Sequence, residues 1–176
     1  MTYFDDRGEE IDIIDLNKNL LSQSTKAKAH RFGLLHKTVV ASLIDSKKRW
    51  LLVEQSGSKQ DGGKLVFPVG GHVKKSEGVE NALRRETLEE VGITNFKYKF
   101  IGEGIYNRLV KKSKENHFFS YFEIYSDAIP ILGKESIKYK YFSSKQLQKL
   151  LKQDSEYIGD SLKNLLIKFY PLFNYP

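Results

Sequence analysis

Residues 71–93 read GHVKKSEGVENALRRETLEEVGI, a segment patterned as a helix whose apolar stripe turns acidic before it ends. Gly92 supplies the left-handed position that closes helices, Ser76 is placed to cap the start, and Glu77 puts negative charge in the first turn. A helix over 77–91 is therefore expected. At helical spacing Val79, Ala82, Leu83, Glu86 and Glu90 share one stripe, with Glu89 beside it. A core-facing stripe ending in three carboxylates is costly, because like charges repel and burial raises the penalty. A divalent cation removes that cost. Hard oxygen donors at this density suit magnesium or manganese, which keep several waters and take a few carboxylates and substrate phosphates. Arg85 is spaced to pair with Glu89 one turn on. Glu77 reads equally well as a partner of the helix dipole and as a ligand.

The plain alternative is a solvated, salt-bridged surface helix. Two features oppose it. The glutamates continue the apolar face, and LVFPVGG just before them is a short apolar strand leading into a turn that lets backbone approach a ligand. Gly71, Glu77, Arg85, Glu86, Glu89, Glu90, Gly92 and Ile93 together resemble the Nudix hydrolase box. Thr87 departs from it, standing where that family usually has an aliphatic residue at a half-buried position. The resemblance implies an α/β fold, a mixed sheet sandwiched by helices, and hydrolysis of a nucleoside diphosphate linked to some group X, or another organic diphosphate. It makes Gly71, Glu86, Glu89 and Glu90 ligands of Mg2+ or Mn2+, with Glu89, Glu90 and Arg85 as the catalytic set. No organic cofactor is implied, and the general base is left open among the box glutamates.

The four histidines are a second clue. His30 and His36 precede the first long strand, His72 lies in the box, and His117 follows Glu115 in KENHFF. With the opening EEIDIIDLNKN this arrangement resembles the isopentenyl diphosphate isomerase branch of the superfamily. There, three histidines and two glutamates bind a metal, at positions corresponding to His30, His36, His72, Glu115 and His117. The second glutamate, catalytic in that branch, has become His117, and its catalytic cysteine has no counterpart, since the chain contains no cysteine. An arginine expected after LLVEQ is replaced by Ser56, while Lys59 remains. An isomerase-like enzyme is thus the second reading, and a non-catalytic Nudix ligand-binding module the third. The histidine set is carried forward as a second metal site, with Glu115 or His117 as an alternative base from a loop.

The 176 residues, 40% of them hydrophobic, suffice for one core, and a single domain over 1–176 is expected, with 1–35 as an extension packed on it. Lack of cysteine excludes disulfides and thiolate chemistry and fits a reducing compartment. MTYFDDRGEEIDIID has no basic and apolar signal regions, so a cytoplasmic setting is expected. The net charge of +7 comes from dispersed lysines, clustered only as KKSK at 111–114 and as Lys74–Lys75, so a small diphosphate rather than nucleic acid or membrane is the expected partner. Oligomeric state is open, a homodimer included. Strands are expected at 10–15, 37–45, 49–55, 64–69, 96–106, 117–125 and 136–142. Tyr106, Phe118, Phe119 and Tyr121 read as core in preference to base-stacking groups. Ser143 and Gln146 form a capping box opening a helix with Leu147, Leu150 and Leu151. A last helix from Asp160 carries Leu162, Leu165, Leu166 and Phe169 and stops at Pro171.

Overall fold

The computed structural model describes residues 8–110, 113–153 and 155–173. Its hub is β3 (His36–Ile44), whose alternation sends side chains to both faces. Val39, Ala41 and Leu43 face α2 (Val79–Val91), joined by Leu51, Phe122 and Ile124 from neighbouring strands and by Ala82, Leu83 and Val91 from the helix. Ile44, Trp50, Leu52, Phe119 and Tyr121 face the other way. There they meet Leu147 and Leu151 of α3 (Ser144–Gln153) and Leu162, Leu165 and Leu166 of α4 (Asp160–Phe169). A sheet with apolar residues on both faces must be covered on both, and the result is an α/β sandwich. Inside it the Ser42 and Tyr121 hydroxyls are 2.5 Å apart, satisfying two groups that water cannot reach.

β3 runs parallel to β8 (Ser113–Tyr125) from His36↔His117 to Ile44↔Tyr125. Along its opposite edge lie, in turn, β1 (Glu10–Ile14), β6 (Val69–His72) and β4 (Trp50–Gln55). β4 continues to β5 (Leu65–Val66) and β9 (Ser136–Phe142), and β8 pairs with β7 (Lys97–Val110). A hairpin of β1 with β2 (Leu20–Thr25) precedes α1 (Lys26–Phe32). Thr25 Oγ1 accepts from Lys28 N–H at 3.3 Å, and Gly33 ends α1 at φ 68°. The segment expected as one strand over 64–69 is two, β5 and β6, separated at Phe67–Pro68. Proline has no N–H to give a ladder.

α2 begins at Val79 with Gly78 as its cap, and Ser76 does not cap it. Ser76 adopts φ 59° in a turn pinned by its own N–H to Asp12 Oδ2 at 2.9 Å. Gly92 closes the helix at φ 68°. The capping box at Ser143 is present in both directions, with Ser143 N–H donating to Gln146 Oε1 and Gln146 N–H to Ser143 Oγ. β7 and β8 extend toward each other across 111–112. Lys111 and Lys112 of the basic cluster lie outside the described residues, and Lys114 belongs to β8. Phe118, Phe119 and Tyr121 are buried. Among the described residues no helix is long and apolar enough to cross a membrane.

Candidate active-site cleft

A cleft of about 450 Å³ opens where β6 meets the second half of α2, a size suited to a small molecule. Its first wall is the box. Glu86, on the buried face of α2, lays its carboxylate against Gly71 of β6. A Cβ at residue 71 would stand 2.0 Å from Glu86 Cδ, so the glycine is what lets the carboxylate reach the strand. Arg85 organises this wall. Its guanidinium donates to both Glu77 oxygens at 2.9 Å, to Glu86 Oε1 at 2.6 Å and to the His72 carbonyl at 2.9 Å. The expected contact with Glu89 exists but is the longest, at 3.5 Å. Glu77 precedes the helix, takes the Lys74 N–H at 2.9 Å as well, and serves as the anchor of Arg85.

Burial pushes the Glu86 carboxyl up to about 7, against the pull of Arg85. Glu90 is also pushed up to about 7, by burial first and then by the charges of Glu135 and Glu86. Carboxyls pushed up chiefly by burial, with like charges beside them, are what a cation would relieve, and together with the exposed Glu89 they fit Mg2+ or Mn2+. Thr87, expected to be half-buried, is fully so. It meets the demand of an apolar position by donating its hydroxyl to Leu83 O at 2.6 Å.

The second wall gathers four imidazoles, of which His30, His72 and His117 line the cleft and His36 is buried behind them. His36 and His117 are neighbours in the parallel β3–β8 register, His72 follows Gly71 on β6, and His30 descends from α1. Their ligand nitrogens all lie within 4.8 Å of one another, with His30 Nε2 3.0 Å from His72 Nε2 and 3.4 Å from His117 Nε2. His36 Nδ1–H donates to Leu34 O at 2.6 Å, which leaves Nε2 as a buried lone pair with no partner. Burial holds all four rings toward the neutral form, with His36 pushed down to about 4 and His117 to about 2. Neutral, clustered nitrogens, with His36 Nε2 lacking a partner, are suited to a transition ion, and an all-imidazole set fits zinc better than magnesium.

Glu115 is not turned to this quartet as a close partner. It sits opposite Arg108 in the hairpin register and takes Arg108 Nε at 2.5 Å, while Arg108 also reaches Asp61 Oδ2 and Gln60 Oε1 at 2.9 Å. Its negative charge still acts on His30. Arg108, Asp61 and Glu135 line the cleft, and sequence reasoning passed over all three. Arg108 could have been found by counting back across the hairpin from Glu115. Nothing local marks Asp61 or Glu135.

Comparison with known proteins agrees with this geometry. The NUDIX domain family profile matches residues 34–163. An isopentenyl-diphosphate delta-isomerase 1 of Aromatoleum aromaticum is 28% identical over 116 residues, 63% of this chain and 66% of that protein. An uncharacterized Nudix hydrolase of Yersinia pestis is 29% identical over 96 residues, 54% of this chain and 53% of the relative. The matches thus span about half to two-thirds of those relatives' length. A Deinococcus radiodurans crystal structure superposes with a TM-score of 0.76 at 22% identity, covering 92% of this chain and 99% of that one, a likeness of fold. With the profile covering most of the chain and the box assembled as described, the protein belongs to the NUDIX domain family.

Proposed function

We propose that this protein is a divalent-cation-dependent hydrolase that cleaves the phosphoanhydride bond of a small organic diphosphate, a nucleoside diphosphate linked to X included. The observation that carries the reading is the Glu86 carboxylate seated on Gly71 and clamped by Arg85, with the half-buried Glu90 one turn on lining the same cleft. Glu86, Glu89, Glu90 and the Gly71 carbonyl would hold the cation. Bound there, Mg2+ or Mn2+ would offset the charge of the diphosphate and make a coordinated water more acidic. Arg85 fixes the register of these ligands. It ties the helix that carries Glu86 to the strand that carries Gly71 through the His72 carbonyl. Lys26 and Lys59 bring positive charge to the same cleft, which favours an anionic substrate.

The histidine quartet would hold a second, borderline ion, for which the orphaned His36 Nε2 is the supporting observation. The name of the Aromatoleum relative favours an isomerase as the second reading. Allylic proton transfer needs an acid–base pair that this chain lacks on both counts, since no cysteine is present and His117 stands for the glutamate. A purely binding module would have no use for three intact box glutamates.

The test is phosphate or monophosphate release from a panel of nucleoside and other organic diphosphates with Mg2+ or Mn2+, comparing the protein with Glu89→Gln and Glu90→Gln. Cation-dependent release that falls about 100-fold or more in both variants is the expected result. Silence of the folded, cation-loaded protein across the panel would overturn the reading.

A further inference from the structure

Glu135 is a carboxylate of this cleft that lies outside the box. It stands in the segment between β8 and β9, and backbone bonds from two sides determine its place. Ile131 N–H donates to Val91 O at 2.9 Å and Gly133 N–H to Glu90 O at 2.8 Å, stitching the segment to the last turn of α2. A Cβ at Gly133 would come within 2.5 Å of the Glu89 carbonyl oxygen, so glycine is required for this approach. From the opposite side Ser56 N–H donates to the Glu135 carbonyl at 2.8 Å. The Glu135 side chain is 41% exposed, with Lys59 Nζ on its Oε1. It stands near enough to Glu90 that its charge ranks second, after burial, among the causes holding that carboxyl up.

We propose that Glu135 is the general base of the hydrolysis, receiving the proton of the attacking water; this rests on the hydrolase reading above. The water oxygen forms a bond to phosphorus as the bridging P–O bond breaks. The bonding pair leaves with the departing phosphate oxygen, and the water proton passes to the Glu135 carboxylate. The other carboxylates face an arginine or belong to the cation's donor set, whereas Glu135 meets the Lys59 ammonium through Oε1. Glu77 and Glu86 are bound by Arg85, and Glu89, 3.5 Å from the same guanidinium, is one of the proposed cation ligands. Glu115, 4% exposed, is held by Arg108. Carboxylates that bind the cation commit their lone pairs to it, whereas Glu135 approaches from a separate segment and keeps access to water. Lys59, lining the same cleft, orients the carboxylate.

Phosphate release and Mn2+ titration by calorimetry on Glu135→Gln test this. The expected result is a kcat lowered about 100-fold or more, with KM and Mn2+ affinity within about threefold of the parent. In Glu135→Ala, added formate should restore part of the rate, a readout that loss of structure would not produce. A kcat within about threefold of the parent overturns the proposal. So does a Mn2+ affinity that falls about tenfold alongside the rate, which would make Glu135 a ligand instead. An active parent with an active Glu135→Gln removes this inference alone, while an inactive parent removes the hydrolase reading with it.

Discussion

The two walls of the cleft each crowd like groups together, and they solve that problem in opposite ways. The carboxylates come from one helical turn and a half, and their ordinary state near neutrality is charged. Burying them side by side therefore costs free energy that a cation would offset, and burial pushes Glu86 and Glu90 up to about 7. The imidazoles come from α1, β3, β6 and β8, and their ordinary state near neutrality is uncharged. Burial only deepens that neutrality. One wall thus carries the cost of buried charge, whereas the other is neutral and carries only the smaller cost of the unpartnered His36 Nε2.

The largest expected effect that would break this contrast is at Glu86. Glu86→Gln should reduce cation-dependent phosphate release by a factor on the order of 100 to 10,000. The cation-free protein should nevertheless melt at the same or a higher temperature at pH 8, since a crowded charge is gone. A fall in both would show that the carboxylate is structural. At the other wall, His36→Asn should weaken zinc binding about 100-fold in competition with a chelating dye, while Glu86→Gln leaves zinc affinity unchanged. Equal losses in the two variants would merge the walls into one site.

Gly71→Ala is a finer probe. The added methyl meets the Glu86 carboxylate, and overpacking of this kind costs about 1–3 kcal/mol, read as a drop of several degrees in Tm with loss of Mn2+ affinity. Smallest is the pH dependence of the cation-free protein, where the walls have opposite signs. Folded Glu86 and Glu90 keep protons that the unfolded chain, titrating near 4.5, releases. Their contribution is present at low pH and lost as pH rises from 4.5 toward 7. Folded His36, at about 4, gives up a proton that the unfolded chain keeps below 6.5. Its contribution is present above 6.5 and lost as pH falls toward 4. Thermal melts should therefore show Mn2+ flattening the first slope and Zn2+ steepening the second.

Much of the box could be read from sequence because its contacts are local. Helical periodicity alone puts Glu86 and Glu90 on the stripe of Ala82 and Leu83, and Gly92 ends the helix where expected. The helix start was misplaced because Ser76, a good capping residue by composition, is drawn into a turn by Asp12, a partner 64 residues away. The same distance problem hid β2 and α1, whose short, mostly polar runs carry little periodicity of their own.

Hydrophobic alternation in β3, β4 and β8, the apolar stripes of α2, α3 and α4, and the order of carboxylates along one helix were determined by the sequence itself, since each depends on neighbours a few residues apart. The tertiary structure decided the rest. The parallel pairing that sets His36 beside His117, the descent of His30 from α1, the grip of Arg108 on Glu115 and Asp61, and the placing of Glu135 beside Glu90 all join residues distant in sequence. Such contacts depend on how strands pair and layers pack, and no local propensity encodes them.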